Sequence, residues 1–104
     1  MKPNELRIGN YVNDSIGLIT IGLNGNIKFA DAYHPIPLTE EWLLKFGFVG
    51  NYKTYYSNIN LICELHFDEF NNQFDCVLDR YSITTIQYVH ELQNLYFALT
   101  NEEL

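Results

Sequence analysis

Carboxylate and imidazole side chains occupy alternate positions in two neighbouring segments of the second half of the chain. Glu64, His66 and Asp68 are spaced two residues apart, and Asp75 and Asp79 follow on the next segment. Oxygen and imidazole ligands of this kind suit a hard or borderline divalent cation. Alternate residues of one strand lie about 7 Å apart, however, so one ion needs a second strand to complete its site. We expect a wetted sheet face without a metal, and a metal-assisted hydrolase is an alternative.

The apolar residues between these acids predict the strands that carry them. Residues 61–68 and 74–81 alternate apolar and polar side chains, which is typical of strands with one buried and one wetted face. Pairing Phe67 with Phe74 brings each apolar side chain opposite another apolar one. The sequence therefore predicts an antiparallel hairpin in this register.

Both cysteines, Cys63 and Cys76, fall on the apolar face of this hairpin. A reactive thiolate needs an electropositive and partly open setting, which apolar neighbours do not provide. We interpret both cysteines as buried packing residues, and two cysteines do not make a disulfide framework.

Two helices are predicted, one in the middle of the chain and one near its C-terminus. Thr39 as N-cap, two glutamates in the first turn and Gly47 at the end delimit a short helix over 39–47. A second helix over 88–99 has a broad apolar stripe that should face the core. The stripe consists of Tyr88, Val89, Leu92, Leu95, Tyr96 and Leu99.

Further short strands are predicted at 6–12, 16–23, 27–30, 52–57 and 82–87, because turn-forming residues separate β-branched and aromatic runs. The fold class is therefore α+β. We expect an antiparallel sheet or meander of about six to seven strands with two helices, forming a single domain over 1–104.

The candidate contact residues lie on the second helix, opposite its apolar stripe. His90, Gln93 and Phe97 share that side. An aromatic ring flanked by amide and imidazole donors suits contact with a protein partner or a second subunit. The alternative is a helix covered on both sides, with Phe97 packed against the N-terminal strands.

The proline-rich segment before the central helix offers a candidate ligand pocket. Tyr33 and His34 precede Pro35-Ile36-Pro37, whose prolines favour extended backbone. An aromatic ring and an imidazole on such a loop can form one wall of a small-molecule site. A protein that sequesters a nucleotide-like signal is therefore an alternative function.

Charge and composition disfavour several classes of protein. Thirteen acidic and six scattered basic residues give a net charge of −7, so nucleic-acid binding is disfavoured. No run approaches the ~20 apolar residues of a membrane span, and no signal peptide is apparent. No glycine-rich phosphate loop, metalloprotease motif or paired Cys-x-x-Cys is present. We expect a cytoplasmic protein without a cofactor, and we do not expect an enzyme.

The segments PIPLTEEWLLKFGF (35–48) and VHELQNLYFALT (89–100), with the opening LRIGNYV (6–12), carry a resemblance to a known family. They resemble a small uncharacterised family of Bacteroidetes and of their phages and prophages. The resemblance implies a mobile-element context and no particular activity. The prediction is thus a non-enzymatic binding module, an accessory protein that acts on a host protein or associates with itself.

Overall fold

The computed structural model describes residues 1, 5–22, 32–51, 53–57, 64–78 and 80–104. Within these residues the chain forms seven strands and two helices, so the predicted α+β class is confirmed. The elements in chain order are β1 (Tyr11–Asn13), β2 (Leu18–Thr20), α1 (Glu40–Lys45), β3 (Phe48–Asn51), β4 (Thr54–Ser57), β5 (Glu64–Asp68), β6 (Gln73–Leu78), β7 (Tyr81–Ile86) and α2 (Val89–Thr100).

The strands form two antiparallel sheets. β1 pairs with β2, and the larger sheet has the simple order β3-β4-β5-β6-β7. The predicted register of the hairpin is confirmed, since Phe67 lies opposite Phe74 and His66 lies opposite Asp75. Leu65 is fully buried while Glu64 is exposed, so β5 has the expected apolar and wetted faces. Residues 61–63 and 79, which include Cys63 and Asp79, lie outside the described residues.

Helix α1 begins and ends where the capping residues predict. The Thr39 hydroxyl accepts the Trp42 N–H at 3.5 Å, and Glu40 and Glu41 occupy the first turn. Gly47 has a φ of 86°, the left-handed conformation that glycine adopts without a steric cost. The fully buried Leu43 anchors the helix in the core.

Helix α2 joins the same core through one side. Val89 and Leu92 are fully buried, and Tyr96 is 2 % exposed. These side chains pack in one cluster with residues of the sheet and of α1. The predicted stripe is wrong at Leu99, which is 42 % exposed, because the buried cluster that α2 joins ends with Tyr96.

The N-terminal strands are shorter than predicted. The backbone N–H of Asn10 bonds to the Arg7 carbonyl, and Gly9 has a φ of 97°. This turn interrupts the extended run, so β1 begins only at Tyr11. β2 covers three of the eight residues predicted at 16–23. The strand predicted at 27–30 lies outside the described residues.

Strand β3 was not expected from the sequence, because its four residues contain a glycine and show no alternation. The pairing with β4 explains both features. Gly50 lies opposite Tyr55, and a Cβ at Gly50 would collide with the Tyr55 ring. The strand therefore needs glycine at this position so that the tyrosine ring can cross it.

Candidate functional site

The side of α2 opposite the core is covered by the N-terminal segment. Gln93 is 1 % exposed, and both ends of its amide are bonded. Its Oε1 accepts the Tyr11 N–H at 2.8 Å, and its Nε2 donates to the Gly9 carbonyl at 2.9 Å. A buried amide with all its partners in place fixes one geometry. The segment before β1 is therefore held against the helix.

A second amide pair continues this contact toward the N-terminus. The Asn10 Nδ2 donates to the Asn94 Oδ1 at 2.8 Å, and the Asn94 Nδ2 donates to the Glu5 carbonyl at 3.1 Å. Asn10 is fully buried, and its Oδ1 accepts the Arg7 N–H at 2.7 Å. These bonds place Glu5 next to the second turn of α2.

Phe97 is covered by an arginine. The Arg7 guanidinium lies 4.2 Å from the centre of the Phe97 ring, an ordinary cation–π distance. Arg7 also donates to the Gln93 carbonyl at 3.2 Å and forms an ion pair with Glu103. The ring therefore packs beneath a charged side chain of the N-terminal segment.

These contacts correct the expected position of the candidate contact residues. The sequence placed His90 and Gln93 on a water-facing side, yet they are 5 % and 1 % exposed. The burial of His90 and Gln93 agrees with the alternative of a helix covered on both sides, although Phe97 packs against Arg7, which precedes β1. The reason is that the N-terminal segment supplies backbone partners for amides that would otherwise need water. Partner binding by His90, Gln93 and Phe97 stays a prediction.

A cavity of about 400 Å³ lies where the N-terminal segment, β7 and the start of α2 meet. Small-molecule sites commonly have volumes of roughly 300–1,000 Å³. Glu5, Thr84 and Thr85 are exposed, so the cavity opens to solvent on their side. The cavity is lined by Met1, Glu5, Pro35, Thr84, Thr85, Ile86, Tyr88, His90, Glu91, Asn94 and Leu95.

His90 is the buried polar group of this cavity. Its Nδ1 is buried and has no hydrogen-bond partner among the described residues. Its ring stacks on Tyr88, with the ring centres 6.0 Å apart and the planes at 12°. Burial lowers the pKa of His90 below 6.5, an effect that the nearby Glu91 and Glu5 carboxylates oppose. The imidazole is therefore neutral at neutral pH.

Glu91 holds the backbone at the start of α2. One of its carboxylate oxygens accepts the Gln87 N–H at 2.9 Å and the Tyr88 N–H at 3.1 Å. The N-terminus of a helix leaves backbone N–H groups without partners inside the helix. A glutamate in the first turn commonly accepts a hydrogen bond from the backbone just before the helix. This contact fixes the position of His90 relative to β7.

The predicted ligand residues Tyr33 and His34 do not line this cavity. Tyr33 is 7 % exposed and packs in a small apolar cluster with Val12 and Ile21. His34 is exposed, and its backbone N–H and carbonyl bond to Asn13. The next residue, Pro35, does line the cavity, so the predicted loop contributes to the cavity through Pro35.

The acidic face of the large sheet carries an ordinary surface hydrogen bond. The Glu64 carboxylate lies 2.8 Å from the His66 Nε2, and both side chains are about half exposed. In the part of the chain that the structure describes, no three His, Cys, Asp or Glu residues form a group able to hold a metal ion.

Comparisons with known proteins add no relative. No protein-family model matches the chain, and neither a curated protein nor a solved structure is significantly similar to it. Over the residues described, no helix combines the length and apolar character needed to cross a membrane.

Substitution by leucine should affect the free energy of unfolding differently at the two buried polar residues of α2, Gln93 and His90. Gln93→Leu leaves the Tyr11 N–H and the Gly9 carbonyl without partners, so we expect a loss of roughly 2–4 kcal/mol in the free energy of unfolding. His90→Leu removes a nitrogen that has no partner, and we expect a change within about 1 kcal/mol or a gain. Urea denaturation measures both. A large loss in His90→Leu would show that the imidazole is needed for folding.

His90 should also make stability depend on pH. Because its pKa is lowered in the folded chain, the unfolded chain takes up the proton first as the pH falls below 6.5. Wild type should therefore lose stability relative to His90→Leu over this range, and the loss is complete below the folded-state pKa. Denaturation of both proteins above and below pH 6.5 tests this, since other histidines cancel in the difference. A constant difference would contradict the assignment.

Proposed function

We propose that this chain is a non-enzymatic binding protein that holds a small molecule in the cavity at the start of α2. The observation that carries the proposal is the cavity itself, about 400 Å³ in volume, which lies where three separate segments of the chain meet and has the buried His90 in its lining. Small-molecule sites commonly combine apolar walls with a few polar groups, and here Ile86 and Leu95 share the lining with Glu5, Thr85 and His90.

The residues that line the cavity favour ligand binding over catalysis. The described lining contains no cysteine, serine or lysine, and its hydroxyl groups belong to Thr84, Thr85 and Tyr88. Glu91 is the carboxylate nearest His90 in sequence, and one of its oxygens is committed to the backbone of Gln87 and Tyr88. An activated nucleophile requires a base within hydrogen-bond reach, and the Nδ1 of His90 bonds to none of these hydroxyls.

The proposal differs from the first function predicted from the sequence, which was a surface contact with a host protein. Two of its three candidate residues, His90 and Gln93, are buried. The present proposal is therefore based on the cavity that His90 lines. A ligand-binding protein also fits the mobile-element context implied by the resemblance, because binding alone lowers the free concentration of a small molecule.

The test is an NMR titration of the ¹⁵N-labelled chain with amino acids, small amines, nucleosides and nucleoside monophosphates. We expect at least one class to shift the backbone amides of Thr84, Thr85 and His90. Thr85→Trp places an indole at the cavity mouth and should abolish these shifts. Ser82→Trp, an exposed position of the same strand that does not line the cavity, is the matched control.

The proposal fails if no compound at millimolar concentration shifts these amides, or if the shifts persist in Thr85→Trp. Chemical conversion of a bound compound during the titration would also contradict it, because the proposal assigns binding without turnover.

A further inference from the structure

We infer that the outer edge of β7 pairs with β7 of a second copy of this chain, so that two large sheets join across a twofold axis. β7 (Tyr81–Ile86) is the last strand of the five-stranded sheet and pairs with β6 on one side. Among the described residues, no strand pairs with its other side. The inference concerns the backbone of this edge, and it does not depend on the ligand proposed for the cavity.

The exposure of β7 leaves this edge accessible to another chain. Residues 81–85 are all exposed, although alternate residues of a strand point to opposite faces of the sheet. Neither face of this stretch is therefore packed in the core. Tyr81 and Ile83 are 74 % and 45 % exposed. A strand that pairs with this edge would cover part of both side chains.

The sequence of β7 lacks the residues that usually keep edge strands apart. Natural edge strands often carry lysine, other charged residues or proline, which oppose pairing with another chain. The strand YSITTI contains no charged residue and no proline, and its β-branched residues favour extended backbone. The free edge is therefore suited to the addition of a strand.

An antiparallel pairing centred on Ile83 gives favourable neighbours at each exposed position. Ile83 then lies opposite Ile83 of the second copy, Tyr81 opposite Thr85, and Ser82 opposite Thr84. Two β-branched residues, an aromatic with a β-branched residue, and two hydroxyl residues are all stabilising cross-strand pairs. No like charges meet along the strand, although the chain carries a net charge of −7. A second copy is thus a suitable partner for this edge.

The charges at the two ends of β7 favour the antiparallel direction. Arg80 is exposed and directly precedes the strand. At the other end, the cavity beside β7 contains two carboxylates, Glu5 and Glu91, and one ammonium group, that of Met1. In the antiparallel arrangement, Arg80 of each copy lies toward the acidic end of the other copy. A parallel arrangement would place the two arginines side by side.

The length of the free edge predicts a weak and reversible contact. Five residues span about 17 Å, because each residue of an antiparallel strand adds about 3.4 Å. Ile83 has no partner in the register with β6, and the twist that such a bulge adds keeps the paired stretch short. Small interfaces, below about 1,200 Å² of buried surface, belong to transient complexes. We therefore expect a monomer–dimer equilibrium with a dissociation constant of roughly 10 µM to 1 mM.

Sedimentation equilibrium at increasing protein concentration tests the association, and ¹⁵N spectra of the same samples locate it. We expect the mass to rise toward that of a dimer while the amides of residues 81–85 shift. Ile83→Lys should abolish both effects, because it places two lysines opposite each other. Tyr56→Lys is the matched control and should associate as wild type does. Tyr56 is 49 % exposed and belongs to β4, an interior strand without a free edge.

A cysteine at the centre of the pairing tests the register directly. Facing residues of antiparallel strands lie about 5 Å apart, which a disulfide can bridge. Under mild oxidation, Ile83→Cys should form a cross-linked dimer at least about tenfold faster than Tyr56→Cys, because pairing raises the effective concentration of the two thiols. Wild type, which keeps both native cysteines, gives the baseline. This variant decides the matter if Ile83→Lys fails to fold.

The inference is overturned if wild type stays monomeric up to millimolar concentration, or if folded Ile83→Lys associates as wild type does. It is also overturned if Ile83→Cys cross-links no faster than Tyr56→Cys, or if the concentration-dependent shifts lie outside residues 81–85. None of these results decides the proposed function, because the ligand titration is carried out at one protein concentration.

Discussion

The amide of Gln93, buried between α2 and the segment before β1, is the contact on which the rest of the structure depends. It bonds to the backbone of Gly9 and Tyr11, two residues more than eighty positions away in the sequence. A helix in a small domain usually needs one apolar side, and α2 has that side on the large sheet. The Gln93 amide attaches the N-terminal segment to the other side of α2, so both sides of the helix are packed. The contacts of Asn94 and Arg7 hold the same segment from the surface, and the Gln93 amide is the buried contact among them.

The two buried polar residues of α2 illustrate the difference between a polar group that is bonded within the fold and one that is buried without a partner for its nitrogen. Gln93 has a partner for each end of its amide, so its burial specifies where the N-terminal segment lies. His90, three residues earlier, is nearly as buried, and its Nδ1 has no partner among the described residues. Stability alone would favour an apolar side chain at position 90. His90 also lines the cavity at the start of α2, which is the candidate site.

Local signals predicted much of this fold, and long-range contacts account for what was missed. The hairpin register followed from the alternation around Phe67 and Phe74, and the limits of α1 followed from Thr39 and Gly47. These features depend on neighbours or on a single partner strand. The burial of Gln93 could not be read from the helix, because an exposed and a buried glutamine look alike until the Gly9 and Tyr11 backbone groups are placed. The cavity was missed for the same reason: Glu5, Thr85 and His90 converge only through the packing of distant segments.

Hydrogen exchange at the Tyr11 amide tests the central contact most directly. This N–H donates to the Gln93 side chain at 2.8 Å, so its protection reports whether the N-terminal segment is held on α2. The structure predicts that Tyr11 exchanges slowly, with protection close to that of the fully buried Leu65 in β5. Exchange of Tyr11 at the rate of an unstructured peptide, with Leu65 still protected, would show that α2 is covered on one side only and would contradict the account.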